Sequence, residues 1–295
     1  MATQEGLAKS AGVVSLGTMT SRVLGFIRDM VIGAMFVPWI RDVFFIAFVI
    51  PNLFRRLLGE GALSVSFIPV FTEHLENRKD PWKLASSIFN LTLILLVLIA
   101  ILGVIITPFI IKAIAPGFDV ARKILAIKLV RIMFPFVVFI CLAALVMGML
   151  NSIGHFAAPA FAPMMLNISM IASVFLFYNK LSQPIVGLAI GVLVGGLAQL
   201  LFQLPALIKR GAKYLLTFDY QNPGVRRVGT LMVPVVIGLS ATHVNTVVDR
   251  MLGSLLAEGS VSALYYGNRL IQLPLAIFGI AIATAVFPQL AREAQ

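Results

Sequence analysis

The chain is 295 residues long, 60% hydrophobic and 12% charged, with a formal net charge of +11 and a mean hydropathy of +1.00. No soluble domain has a core able to hide that much apolar surface, so the composition excludes one and predicts an all-α polytopic membrane protein; a β-barrel would show short alternating segments instead. The positive charge fits the basic bias of loops on one membrane face and calls for no nucleic-acid partner.

Eight helices are expected, over roughly 10–36, 42–72, 83–111, 122–150, 157–178, 184–208, 227–257 and 261–290, separated by breakers such as Pro38, Asp80-Pro81, Pro116-Gly117, Gly154, Pro184 and Asn222-Pro223-Gly224. The opening MATQEGLAK runs into a long charged helix without a small-residue cleavage site, and is read as a first transmembrane helix. The single cysteine, Cys141, excludes an intrachain disulfide. Eight spans leave both termini on one face. Loops on that face hold Lys9, Arg78, Lys79, Lys83, Lys209, Arg210, Lys213, Arg226, Arg227 and Arg292, against Arg41, Lys112, Arg122, Lys123 and Lys180 opposite. The excess puts both termini in the cytoplasm.

Helix 1 carries Arg22, Arg28 and Asp29 inside an apolar run, with Gly25 between Arg22 and Asp29. A charge at mid-bilayer costs roughly 2.5–3.5 kcal/mol on insertion scales, so these residues should face a bundle interior or a wet cavity. An internal Arg–Asp neutralisation that only fixes packing is the competing reading. In helix 2, Pro51 precedes Asn52, Arg55, Arg56 and Glu60; Asn52, Arg56 and Glu60 recur every four residues as a polar stripe reaching Ser64. Pro51, Gly59 and Gly61 should kink and loosen this helix, which is tolerated where it lines a cavity. Helix 8 adds Arg269, with Gln272 on the same side.

The intramembrane set is Arg22, Arg28, Arg55, Arg56 and Arg269 against Asp29, Asp42 and Glu60, with no lysine. The planar guanidinium fork suits bidentate binding of phosphate or pyrophosphate, so an anionic, phosphorylated substrate is expected. A voltage sensor would space arginines every third residue, and a proton relay would favour carboxylates and histidines. On helix 7, Thr242, Asn245 and Asp249 share a face; Asn245 and Asp249 could contribute to a Na⁺ site, or Asp249 could pair with Arg250. His155 and His243, near expected helix ends, are read as structural. Gly187, Gly191 and Gly195 form a small-residue packing seam. No nucleotide-binding loop, metal cluster or nucleophile–base arrangement is found, so no catalytic residues and no enzyme activity are expected.

DMVIGAM at Asp29 and DRMLGSL at Asp249 match at an offset of 220 residues, and SFIPVF (66–71) resembles TAVFPQL (284–290) at nearly the same offset. Helices 7 and 8 thus read as a second copy of helices 1 and 2 in a parallel repeat. The expected division is a six-helix lobe over 1–222, followed over 223–295 by the first two helices of an incomplete second lobe.

SRVLGFIRD (21–29), PNLFRRLLGEGALSVSFIPVF (51–71), APAFAPMMLNISMI (158–171) and YYGNRLIQLP (265–274) together resemble the MurJ/MviN lipid II flippases of the multidrug/oligosaccharidyl-lipid/polysaccharide (MOP) exporter superfamily. The resemblance runs along essentially the whole chain. It implies translocation of the undecaprenyl-pyrophosphate-linked peptidoglycan precursor across the bacterial cytoplasmic (inner) membrane by alternating access, a role in cell-wall synthesis and cell shape, and a monomer whose partners are lipid II and membrane lipids. The family's cavity cations map onto Arg22, Arg28, Arg55 and Arg269, with Asn52, Arg56, Asp29, Asp42 and Glu60 in the adjoining motifs. Na⁺ binding in some members would place Asp249 as a ligand; no other cofactor is implied. Two rivals stay open: another exporter of the superfamily, moving a polysaccharide-linked lipid or a drug, and a membrane scaffold whose charges lock helices together.

Overall fold

The computed structural model describes residues 4–77 and 80–271, with side chains from residue 11 onward except those of Glu60 and Thr242. Expectations resting on Lys9, Arg78, Lys79, Gln272, Arg292, the Glu60 and Thr242 side chains, the 284–290 motif and the far end of the eighth helix lie outside these described residues.

All regular structure among the described residues is helical. The elements are α1 (Gln4–Met35), α2 (Pro38–Phe54), a π-helical segment (Arg55–Leu63), α3 (Ser64–Glu76), α4 (Pro81–Ile114), α5 (Val120–Met133), α6 (Phe136–Ser152), α7 (Ala157–Phe177), α8 (Pro184–Lys209) and α9 (Pro223–Ser254). Helix α10 occupies residues 260–271. Since α2, the π-helical segment and α3 form one rod, and α5 and α6 form another with a step at Pro135, these segments correspond to the eight expected helices.

Local chemistry sets the boundaries. Proline opens α2, α4, α8 and α9, where its missing N–H costs no helical hydrogen bond. Asp119 accepts from the Arg122 amide at 2.8 Å to cap α5, and Asn222 accepts from the Gly224 amide at 2.8 Å to cap α9. Gly154 and Gly211, with φ of 76° and 81°, end α6 and α8 in the left-handed conformation that glycine adopts without strain.

Among the described residues, five rods are long and apolar enough to cross a membrane: Pro81–Ile114, Val120–Ser152, Ala157–Phe177, Pro184–Lys209 and Pro223–Ser254. Helix α1 and the 38–76 rod are also long, but carry charges in their middle. Helix α6 is the buried axis of the bundle. Helix α4 lies on the outside and presents Ile94, Leu98, Leu102, Ile105 and Phe109 outward, as a lipid-facing helix does. Helix α7 packs along α8 and against α1, while the π-helical segment touches both α6 and α9.

The 42–72 helix expected to be kinked and loosened is instead π-helical over nine residues. Proline at 51 removes one ladder hydrogen bond, and Gly59 and Gly61 offer no Cβ to resist the wider turn. The Ser64 hydroxyl donates to the Gly59 carbonyl five residues back, at 3.0 Å. Asn52, Arg55 and Arg56 lie on one cavity wall, so two members of the every-fourth-residue stripe share that wall with Arg55.

The glycine seam packs as expected. A Cβ at Gly195 would lie 2.9 Å from the Leu166 Cα, and one at Gly187 would lie 2.5 Å from the Phe177 Cβ, so α7 and α8 touch nearly backbone to backbone. Gly195→Val should lower the unfolding stability of the detergent-solubilised protein by about 1–3 kcal/mol. An exposed control, Gly229→Val, meets nothing within 4 Å and should change stability only by the helix-propensity difference. Equal thermal midpoints for Gly195→Val and wild type would count against the seam.

Candidate functional site

Where α1, α2, the π-helical segment, α7, α9 and α10 meet, they enclose a cavity of about 230 Å³. Its wall carries Arg28, Arg55, Arg56, Arg250 and Arg269, and no carboxylate among the described lining residues. Five guanidinium groups around one small space make the site strongly attractive to an anion.

The floor is organised by Asp29, which is 4% exposed. Its Oδ1 accepts from Arg28 Nε at 3.0 Å and Nη2 at 2.5 Å. Its Oδ2 makes no well-aligned hydrogen bond, yet Arg269 Nε from α10 lies 3.4 Å away. One carboxylate is thus shared by two arginines 241 positions apart. Gly25 makes this possible, because a Cβ there would collide with the Arg269 guanidinium.

Arg28 is itself held on every side. Nη1 donates to Asn167 Oδ1 at 3.1 Å and approaches the Met170 sulfur at 3.9 Å; Nη2 donates to the Tyr265 hydroxyl at 2.9 Å. All five N–H groups of this guanidinium therefore meet protein acceptors. Asn167 completes the frame by donating to the Ser21 carbonyl at 3.1 Å. Tyr265 stacks on Phe45 with ring centroids 4.0 Å apart, and Arg250 lies 5.6 Å from its other flank while donating to the Val261 carbonyl at 2.9 Å. Arg55 donates from Nε to Asn52 Oδ1 at 2.9 Å, and Arg56 is exposed to the cavity from the π-helical segment.

A model of the "Lipid II flippase MurJ" family matches residues 32–295. The chain belongs to the MurJ family. It is 40% identical to the probable lipid II flippase MurJ of Vibrio cholerae over 97% of this chain and 57% of that protein, and 40% identical to that of Buchnera aphidicola from Acyrthosiphon pisum over 95% and 56%. A solved lipid II flippase MurJ in an inward closed conformation superposes with a TM-score of 0.80 at 30% identity, covering 95% of this chain and 59% of that one. A MOP-superfamily transporter from Pyrococcus furiosus shares the fold, with a TM-score of 0.69 at 18% identity over 94% of this chain and 63% of that one. The chain thus spans just over half the length of its MurJ relatives.

Of the residues singled out in the sequence, Arg28, Asn52, Arg55, Arg56 and Arg269 line this MurJ-family cavity and Asp29 lies directly beneath it. Arg22 is half-buried on α1 and is not among the lining residues. Asp42, expected as a cavity carboxylate, lies elsewhere. It is 2% exposed and accepts from the Gly259 amide at 2.6 Å, the Ser262 amide at 2.8 Å and the Ser262 hydroxyl at 2.5 Å. It therefore caps the N-terminus of α10 from across the bundle, because the orphan amides of that buried helix end need an acceptor.

Asn245 and Asp249 are exposed on α9 and neither lines the cavity; among the described residues no three His, Cys, Asp or Glu side chains gather as a metal site. Arg250, set aside in the sequence as a partner for Asp249, is instead 7% exposed and lines the cavity. One residue is 100° of helical rotation, enough to turn the cation inward and the carboxylate outward. His243 lies inside α9 and joins the wall. Asn167 and Tyr265 were missed as site residues; a lone Asn in an apolar helix is a usable signal, since it must find partners when buried.

Asp42→Ala should lower unfolding stability by about 1–2 kcal/mol through loss of the cap. Asp42→Asn, which keeps acceptor oxygen on one side only, should fall between the two, as read by thermal unfolding in detergent. An unchanged midpoint for Asp42→Ala would remove the capping role.

Proposed function

We propose that this protein takes part in flipping lipid II, the undecaprenyl-pyrophosphate-linked peptidoglycan precursor, across the bacterial cytoplasmic membrane by alternating access. The observation that carries this reading is the ring of five arginines around one cavity without a described carboxylate on its wall. Arg55, Arg56 and Arg269 would meet the pyrophosphate, and Arg28 would frame the site until the ligand displaces Tyr265 or Asn167 from its N–H groups. Arg22 would act at the edge of the path rather than at its centre. No bond is made or broken in this process, so the work is binding and release.

A cavity of about 230 Å³ is below the usual ~300–1,000 Å³ of ligand pockets. A sugar–peptide head needs the helices around it to part. The contacts that would have to open are on both faces: Asp42 with α10, Arg122 with Glu258, and Arg227 with Glu73 at 2.6 Å. In this reading residues 1–222 form one lobe and 223–295 the start of a second, the N-terminus is cytoplasmic, and the protein works as a monomer with lipid II and membrane lipids as partners. A Na⁺ ion at Asp249 and Asn245 would be a coupling ion outside the arginine cavity.

The test is binding of purified lipid II to the protein in nanodiscs. Arg55→Ala, Arg56→Ala and Arg269→Ala should each weaken binding roughly tenfold or more, the equivalent of losing a charge-assisted hydrogen bond. The corresponding lysine variants should recover only part of it, because a point charge does not reproduce the guanidinium fork. Gly25→Ala, which pushes Arg269 off Asp29, should weaken binding without removing any charge. Unchanged affinity in all folded variants, with lowered thermal midpoints, would favour the scaffold reading instead.

A further inference from the structure

We propose that a groove between the start of α7 and the end of α8 is a binding site for an anionic glycerophospholipid, separate from the central cavity. The groove has a volume of about 580 Å³. Phe161, Phe202 and Pro205 form an apolar wall, and His155, Lys209 and Arg210 form its polar rim. No carboxylate is among its described lining residues, and Lys209 and Arg210 give the rim its positive charge.

The arrangement repeats, in order, the parts of a phospholipid. An acyl chain would lie against the aromatic wall, and the phosphate would sit between Lys209 and Arg210, both exposed. His155 Nδ1 lies 2.7 Å from Arg210 Nη2. Partial burial, and then the Arg210 charge, hold its pKa below the ordinary 6.5. At neutral pH it therefore accepts from Arg210 and orients the guanidinium without adding a third charge.

The depth also fits a lipid. Lys209 and Arg210 stand where α8 ends, and the chain continues as an irregular segment bearing exposed Tyr214, Phe218 and Tyr220. That segment is pinned to α4: Asn90 Nδ2 donates to the Leu215 and Thr217 carbonyls at 3.2 and 2.9 Å, and the Leu215 amide donates to Ser86 Oγ at 3.0 Å. Exposed tyrosines close in sequence to lysine and arginine are what the headgroup level of a bilayer attracts. A free phosphate would satisfy the rim but leave the aromatic wall unused.

The experiment is lipid retention. The chain is equilibrated in detergent with equimolar phosphatidylglycerol and phosphatidylcholine, and bound lipid is counted by native mass spectrometry. Wild type should retain phosphatidylglycerol with a preference of roughly tenfold, as expected for two basic residues at an anionic headgroup. Lys209→Gln/Arg210→Gln should bring the two lipids near parity. Lys213→Gln/Arg226→Gln, which removes the same charge from the neighbouring surface, should leave the preference intact. Equal loss in both double variants would assign the effect to diffuse charge and overturn the site, as would no preference in wild type. Displacement of the retained lipid by millimolar inorganic phosphate would make the rim a soluble-anion site and overturn the lipid assignment. Lipid II binding does not enter any of these readouts, so the outcome is independent of the function proposed for the central cavity.

Discussion

A guanidinium inside a membrane bundle needs its charge answered close by, and here one carboxylate, Asp29, answers two of them. Arg28 and Arg269 reach it from α1 and α10, with nearest N–O distances of 2.5 and 3.4 Å. Desolvating two cations and one anion is expensive unless hydrogen bonds satisfy what remains. Asn167 and Tyr265 do that for Arg28, and so tie α7 and α10 to α1. The other cavity features are arranged around this knot: the Gly25 gap that admits Arg269, the Phe45 ring under Tyr265, and Arg250 on the far side of the same ring.

The knot leaves a net cationic surface. Asp29 compensates at most one of the five lining arginines, which keeps the field of the cavity positive and ready for an anion of more than one charge. An anion entering this space would compete with Asp29 and Tyr265 for guanidinium N–H groups. In the proposed function, binding would thereby be coupled to the contacts that hold α10 against α1. Such a coupling is what an alternating-access cycle requires, since a ligand can shift a conformational equilibrium only through differential contacts with its two states.

Helix irregularity provides the rest of the geometry. The π-helical segment begins at Arg55, four residues after Pro51, and carries two adjacent arginines into the cavity. The close α7–α8 seam, made by glycines 187, 191 and 195, fixes the position of Asn167 on the helix next to it. One wall of the cavity is thus backed by a close helix pair and another by an irregular helical turn.

Much of this was legible in the residues themselves. Hydropathy determined the helices, because an apolar stretch long enough to span a bilayer leaves few other options, and proline and glycine determined where they stop. The cost of burying charge singled out Arg28, Asp29, Arg55, Arg56 and Arg269, which the fold does bring together. Other assignments depended on rotation and on distant partners, about which a linear pattern is silent. Asp42 looked like one more cavity acid until the buried amides of α10, 217 residues away, claimed it as a cap. Asp249 and Arg250 were ranked by their chemistry, yet one residue of helical phase turned the arginine inward and the carboxylate out. The sequence determined which groups had to find partners inside the membrane; only the packing of the helices decided which partner each one found.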